Sequence, residues 1–161
     1  SKIIDIQESR YNGKRRIWNK VLEFQHFMKI NPWLNELNSK KIMIVSDNLR
    51  FFSKERMDLI YKQTLLKDSE LIFHEDTITE NYSIETFEEF IESIAKNDFD
   101  VCLVNCKEFG NAICNALYQK NKSSINIGRN VYQLFGLYDM NYMSQNMDVM
   151  RLHFNNLWKK I

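Results

Sequence analysis

The sequence is poor in the residues that normally make turns, since its 161 residues include only four glycines and one proline. Most turns must therefore be made by Asn, Asp and Ser. Long apolar runs are also missing: the strongest, such as Val101–Val104, fall far short of the roughly 20 residues needed to span a bilayer. The first residues, Ser1–Asp5, do not have the basic and then apolar order of a secretory signal. We expect a cytoplasmic protein without a transmembrane segment.

Charge and cysteine content exclude two further classes. Lys and Arg number 22 against 21 for Asp and Glu, a formal net charge of +1, so there is no electrostatic footprint for nucleic acid. The three cysteines, Cys102, Cys106 and Cys114, are an odd number, and no Cys or His pair stands nearby to complete a zinc site. They indicate free thiols in a reducing compartment.

The apolar pattern predicts one α/β domain over 1–161, a Rossmann-like three-layer domain with a mostly parallel sheet of about four strands and helices on both faces. Residues 1–39 are predicted to be a helical cap, 40–140 a βαβ core and 141–161 a C-terminal helix beginning near Met147. The short apolar runs that are predicted to form the strands end near Val45, His74, Val104 and Ile127. Ser53 is predicted to cap a helix that continues to Leu66, and Ser83 to precede another.

Parallel strands would bring their polar connections to one sheet edge, where ligands bind at the point of reversed strand order. The predicted catalytic residues there are Asp47, His74 and Glu75, one of which would act as a base. The predicted substrate-binding residues in these connections are Ser46, Asn105, Lys107, Gly110, Gly128, Arg129 and Asn130. No metal ligand is assigned.

Each of these motifs also has an ordinary structural interpretation. His74 beside Glu75 could be a base or a metal ligand, or a loop histidine with no special partner. Lys107 could bind a phosphate or simply be a solvated surface residue. The Asp98-Phe99-Asp100 and Asp68-Ser69-Glu70 spellings imitate metal-binding motifs, but they precede strands, so we interpret them as turn and capping residues at the opposite edge.

A nicotinamide or flavin dinucleotide is not expected. In the G-x-G-x-x-G fingerprint of dinucleotide-binding folds, glycines let the backbone approach the pyrophosphate. Asn105 and Lys107 stand in the first two glycine places, and only Gly110 remains.

The segments Phe99–Val104 and Ile125–Leu137, with Gly110 between them, resemble bacterial proteins of surface-polysaccharide clusters that are distantly similar to GT-D-type glycosyltransferases. The resemblance covers roughly 40–137. It implies that Gly128, Gln133, Phe135 and Gly136 form a turn and helix start facing a nucleotide sugar.

The sequence departs from that group in three places. Asn105–Glu108 replaces its glycine-rich loop, Asn126 replaces a histidine, and Arg129 replaces a second glycine. The acidic metal motif near the N-terminus of GT-D enzymes has no counterpart before Lys41. Either the chain is a fragment, or metal is not used, or transfer activity has been lost.

The resemblance implies a glycosyltransferase-like domain that uses a nucleotide-sugar donor and a glycan acceptor in bacterial surface glycan synthesis. If a metal takes part, Mg²⁺ or Mn²⁺ is the expected ion. The alternative is a non-catalytic module that binds a nucleotide or a partner, as part of a larger glycan-synthesis protein.

Overall fold

The computed structural model describes residues 33–61, 65–74, 83–141 and 154–161. The predicted N-terminal cap before residue 33, including its first helix, and Glu75 lie outside the described residues. Among the helices that the structure describes, none has the length and apolar character needed to cross a bilayer.

The core of the fold is a four-stranded parallel sheet in the order β2-β1-β3-β4. Its strands are β1 (Lys41–Ser46), β2 (Glu70–His74), β3 (Val101–Asn105) and β4 (Ser124–Asn126). Every residue of β3 is buried, as expected of a central strand covered by helices on both faces. The predicted parallel α/β sheet is confirmed.

In the described part of the chain, four α-helices follow the strands in alternation. They are α1 (Lys54–Tyr61), α2 (Ile84–Ala95), α3 (Gly110–Gln119) and α4 (Asn130–Leu134). Short 3₁₀ turns cover Trp33–Leu37, Leu49–Phe51 and Lys107–Phe109.

Two of the helix starts are fixed by the serines that the sequence marks as caps. The Ser53 hydroxyl accepts from the Arg56 amide at 3.1 Å, and the Ser83 hydroxyl accepts from the Thr86 amide at 3.2 Å. Each bond satisfies an amide that has no partner inside the helix.

The helices cover both faces of the sheet, because successive side chains of a strand point to opposite sides. On one side Ile42 and Ile44 of β1 pack with Met57 of α1 and Phe135, which follows α4. On the other side Met43 and Val45 pack with side chains of α2 and α3, among them Ile94 and Ile113. The sheet is therefore the middle of three layers, as predicted.

The predicted C-terminal helix is wrong over the described residues 154–161. Lys159–Lys160 forms a short strand, β6, which pairs in parallel with β5, Leu137–Tyr138. The Lys159 amide donates to the Gly136 carbonyl and the Ile161 amide donates to the Tyr138 carbonyl, both at 2.9 Å. These long-range bonds compete successfully with the local helical pattern.

The first helix of the core does not reach Leu66 as predicted: its described part is Lys54–Tyr61, and Leu65 and Leu66 are not helical. Leu65 and Leu66 are buried, and Leu66 has a left-handed φ of 52°. Their burial explains the apolar spacing that suggested a longer helix.

Arg56 joins α1 to the C-terminal strand pair. Its guanidinium donates to the carbonyls of Phe135, Gly136 and Leu157, at 2.7, 3.3 and 3.0 Å. Because these carbonyls come from two distant parts of the chain, one side chain fixes both parts against the same helix.

Gly136 follows α4 and faces Ile60 of α1. Its φ is +62°, and a Cβ atom there would lie 2.1 Å from Cδ1 of Ile60. Only glycine fits both the backbone conformation and the space.

Candidate functional site

The reversal of strand order defines where a site would form. β1 pairs with β2 on one side and with β3 on the other, so the chain first builds the sheet in one direction and then in the other. In open α/β sheets the loops at such a point diverge and leave a crevice at the carboxyl ends of the strands. Here that point lies between β1 and β3, beside Ser46 and Asn105.

A cleft of about 780 Å³ opens there, which is within the range of roughly 300–1,000 Å³ typical of small-molecule sites. Its walls come from the loops after β1, β3 and β4, from Tyr132 of α4 and from the C-terminal strand pair. The polar and charged lining residues are Asp47, Asn48, Asn105, Lys107, Glu108, Arg129, Tyr132, Asp139, Asn141 and Lys160.

Five polar residues form what we call the cleft floor: Ser46, Asp47, Asn48, Asn105 and Tyr132. Ser46 and Asn105 are register partners across β1 and β3, so the Asn105 Nδ2 atom reaches the Ser46 Oγ atom at 2.9 Å. Both are buried, with exposed fractions of 0% and 6%. The sheet register itself therefore fixes the amide of Asn105 at the base of the cleft.

The Tyr132 hydroxyl, which belongs to the floor, donates to Oδ1 of Asp47. Burial raises the pKa of Tyr132 to about 12, with a further contribution from the bond to Asp47. The nearby side-chain amides of Asn48 and Asn105 act on its pKa in the opposite direction. The hydroxyl thus stays protonated and remains a donor to the carboxylate at neutral pH.

Two lysines, Lys107 and Lys160, form what we call the cationic rim. Lys107 follows β3 and Lys160 lies on β6; both are exposed and both line the cleft. Arg129 also lines it, but its Nη1 atom is paired with Asp139 Oδ2 at 3.1 Å. An anionic ligand would therefore meet the two lysines more readily than the arginine.

The backbone is left-handed on both sides of the strand-order reversal. Asn48 and Lys107 have left-handed φ angles of 58° and 46°. Asparagine tolerates this conformation, whereas for a lysine it costs roughly 1–2 kcal/mol. Ser39, Leu66, Asp68 and Asn121 also have left-handed φ angles and do not line the cleft, so this conformation describes the two flanking loops but does not by itself mark a binding site.

Several of the predicted site residues come together in this cleft. Asp47, Asn105, Lys107, Gly128 and Arg129 line it, whereas Ser46 is fully buried beside Asn105 and is not part of the lining. Gly128 has a φ of +52°, and a Cβ atom there would meet open space among the described residues. Glycine is therefore needed in the turn after β4 only because of its left-handed backbone conformation, and not for lack of space.

Other predicted site residues lie elsewhere. His74 is 8% exposed, its Nε2 atom is 3.0 Å from the Ser93 hydroxyl, and its ring contacts Phe90 edge-on. It therefore packs against α2 and does not line the cleft. Asn130 also stays outside the cleft lining, since its Nδ2 atom donates to the Ile127 carbonyl at 2.9 Å.

Gly110 and Gln133 are buried and do not line the cleft. A Cβ atom on Gly110 would lie 2.6 Å from the Asn126 amide, so this glycine lets α3 pack closely on β4. Gln133 is 1% exposed, and neither of its amide atoms has a hydrogen-bond partner among the described residues. Phe135 and Gly136 likewise lie in the core and at the Ile60 contact.

The two acidic motifs, Asp98-Phe99-Asp100 and Asp68-Ser69-Glu70, lie at the starts of β3 and β2, as the sequence predicts. Asp98 pairs with the Lys41 side chain, and Asp100 Oδ2 accepts from the Lys41 amide at 2.7 Å. Lys41 begins β1, so both carboxylates lie at the opposite end of the sheet from the cleft. Within the part of the chain that the structure describes, no group of three or more His, Cys, Asp or Glu is placed to hold a metal ion.

Cys106 lines the cleft but is poorly suited to be a nucleophile. Burial, and then the charge of Asp47, raise the pKa of its thiol to about 12. The thiolate is the reactive form, so this group stays protonated and unreactive at neutral pH.

Four further residues line the cleft although no sequence pattern marks them as site residues: Tyr132, Asp139, Lys160 and Ile161. Tyr132 falls at helical spacing and so resembles a core residue. A buried tyrosine hydroxyl usually has a hydrogen-bond partner, and this rule is the one signal that could have indicated a polar neighbour for Tyr132. Lys160 and Ile161 reach the cleft only because β6 pairs with β5, which no local pattern encodes.

Comparison with protein-family models, with curated proteins and with solved structures found no match. The similarity to GT-D-type enzymes therefore stays a prediction.

Proposed function

We propose that this chain is a glycosyltransferase-like protein that binds a nucleotide-sugar donor in the cleft between β1 and β3. The observation that supports the proposal best is the placement of Asp47 and Lys107 on neighbouring loops at the reversal of strand order. A carboxylate and a cation that line the same cleft suit a ligand with hydroxyl groups at one end and phosphates at the other.

In the proposed reaction Asp47 is the base. It takes the proton of an acceptor hydroxyl as that oxygen bonds to the anomeric carbon, while the bond from that carbon to the donor's diphosphate breaks. The departing diphosphate carries the bonding electron pair, and the cationic rim stabilises it electrostatically. Arg129 can contribute if the ligand draws it away from Asp139.

The proposal includes a glycan acceptor, a role in bacterial surface glycan synthesis and a cytoplasmic location. The free thiols support the location, because unpaired cysteines suit a reducing compartment.

Calorimetric titration with a panel of nucleotide sugars, with and without Mg²⁺ or Mn²⁺, tests the binding step. We expect at least one donor to bind, and we expect Lys107→Met to weaken its binding while Lys67→Met, an exposed lysine outside the cleft, does not. If no nucleotide sugar binds the wild-type chain, the proposal is wrong.

Turnover at saturating donor tests the role of Asp47. Loss of a general base usually costs about 10²–10⁴ in rate, so Asp47→Asn should release sugar from the donor far more slowly than wild type. Glu88→Gln, an exposed change on α2, is the matched control.

A second candidate function is donor binding without transfer. One oxygen of Asp47 already accepts the Tyr132 hydroxyl, so this carboxylate also suits a purely binding role. A wild-type chain that binds a donor but neither transfers nor hydrolyses its sugar would favour this candidate.

A further inference from the structure

We infer that the cleft floor is a subsite for the hydroxyl groups of a sugar ring, separate from the cationic rim that takes the phosphates. The inference rests on the proposed function and adds the direction in which the ligand lies. The hydroxyl-bearing ring lies against Asp47 and Asn48, and the phosphates lie toward Lys107.

The first argument is the mixture of hydrogen-bonding groups in the floor. A pair of ring hydroxyls both donates and accepts, so it needs acceptors and donors close together. The Asp47 carboxylate supplies acceptor oxygens, and the amides of Asn48 and Asn105 supply both kinds of group. A phosphate would need donors alone, and an amine would need acceptors alone.

The second argument concerns the orientation of Asp47. Its Oδ1 atom receives the Tyr132 hydroxyl, and the Ser46 hydroxyl is 3.5 Å from the same oxygen. Both contacts are made to Oδ1, so the carboxylate is held by one oxygen and can present its Oδ2 atom to a ligand. Tyr132 is thus a positioning residue for Asp47.

The third argument is the separation of charge. The floor holds a carboxylate, which repels phosphate, whereas Lys107 and Lys160 are exposed on the cleft walls. In the cleft as a whole acids and bases are balanced: Asp47, Glu108 and Asp139 against Lys107, Arg129 and Lys160. A ligand that is neutral at one end and anionic at the other matches this distribution better than a uniformly anionic one.

The test uses the two ends of the ligand as separate probes. Methyl glucoside and uridine carry ring hydroxyls without phosphate, and pyrophosphate carries phosphate without a ring. Saturation-transfer NMR and competition against any bound nucleotide sugar measure their affinities for the full chain.

Two variants of the cleft floor and one of the cationic rim test the two parts of the site separately. Asp47→Asn removes the charge, and Asn48→Gly removes an amide while allowing the left-handed backbone of this position. We expect each to weaken the hydroxyl probes by about tenfold or more and to leave pyrophosphate unchanged or bound more tightly. Lys107→Met should weaken pyrophosphate and leave the hydroxyl probes unchanged, with Glu88→Gln and Lys67→Met as controls.

Tyr132→Phe tests the positioning role. It should weaken the hydroxyl probes but not pyrophosphate, whereas a general loss of structure would weaken both. Tyr118→Phe, at a tyrosine that is 73% exposed on α3, is its control.

The outcomes separate this inference from the proposed function. If floor and rim variants weaken both kinds of probe equally, the two-ended site is wrong, although nucleotide-sugar binding can still hold. If hydroxyl probes bind through the floor but no nucleotide sugar binds, the proposed function is wrong and the subsite stands. If neither kind of probe binds, the two-ended site is overturned, and calorimetry with the nucleotide-sugar panel decides the proposed function separately.

Discussion

The hydroxyl of Tyr132 donates to the carboxylate of Asp47, although the two residues are 85 positions apart in the chain. The bond links α4 to the end of β1 across the cleft. It makes the geometry of the site depend on the packing of a short helix whose N-cap residue, Arg129, makes no side-chain capping bond within the described residues.

This bond predicts a stability change in alkaline solution. The pKa of Tyr132 is raised from 10.0 to about 12 in the folded chain, so between these values the unfolded chain has lost a proton that the folded chain keeps. The stability from this group is complete below pH 10 and is lost as pH rises toward 12. The free energy of unfolding of wild type, measured with urea, should fall more steeply with pH over this range than that of Tyr132→Phe. Equal slopes for the two proteins would contradict the burial of this hydroxyl.

Gly136 and Gly128 provide a matched pair, because both have a left-handed φ but only Gly136 of the two faces a neighbour among the described residues. Gly128→Ala should cost about 1–2 kcal/mol for backbone strain alone. Gly136→Ala should cost about 2–4 kcal/mol, since its methyl group also collides with Ile60. Chemical unfolding measures both.

A second-site change checks the cause of that difference. Valine lacks the Cδ1 atom that lies 2.1 Å from the place a methyl group would occupy at residue 136. Ile60→Val should therefore cost less in the Gly136→Ala background than in wild type. If its cost is the same in both, the collision is not the reason.

Arg56 predicts a local effect at the C-terminal strand. Arg56→Met removes three bonds to backbone carbonyls and should lower the free energy of unfolding by about 2 kcal/mol, because water replaces part of what is lost. Hydrogen exchange at the amides of Lys159 and Ile161 should accelerate. Arg50→Met, which removes a guanidinium 4.7 Å above the Phe51 ring, should leave these two amides unchanged; acceleration in both variants would rule out the specific link.

We predict that replacing Gln133 by an apolar residue stabilises the chain. Its amide is buried, and neither Nε2 nor Oε1 has a partner in the described part of the chain; such an unsatisfied group costs about 1–3 kcal/mol. Gln133→Met keeps a similar shape and should raise the free energy of unfolding by about 1 kcal/mol or more. Gln119→Met, at an exposed position ending α3, should change little. A clear loss of stability at position 133 would instead show that the amide is bonded in solution.

The sequence predicted the sheet well because its signals are local. Four short apolar runs, such as Val101–Val104, form the strands, and Ser53 and Ser83 cap the helices they precede. Parallel pairing follows from the alternation with helices, and it brings Asp47 and Lys107 to one edge.

The parts that could not be predicted depend on contacts between distant residues. The strand at Lys159 forms because Gly136 and Tyr138 offer carbonyls to it, and no periodicity near the C-terminus carries that information. His74 ends a strand just as Asp47 follows one, yet its ring turns toward Ser93, since side-chain direction depends on which face of the sheet the residue occupies. Tyr132 belongs to the site because of its hydroxyl, whereas its spacing marks it as core.

The parallel pairing of β6 with β5 has a practical consequence for handling the protein. Lys160 and Ile161 form part of the cleft wall, so a purification tag fused after Ile161 would emerge beside the mouth of the binding site. A polyhistidine tag in that position would bring metal-chelating imidazoles next to Asp139 and Asp47 and imitate a metal requirement. Cleavage of such a tag before any metal titration separates the two effects.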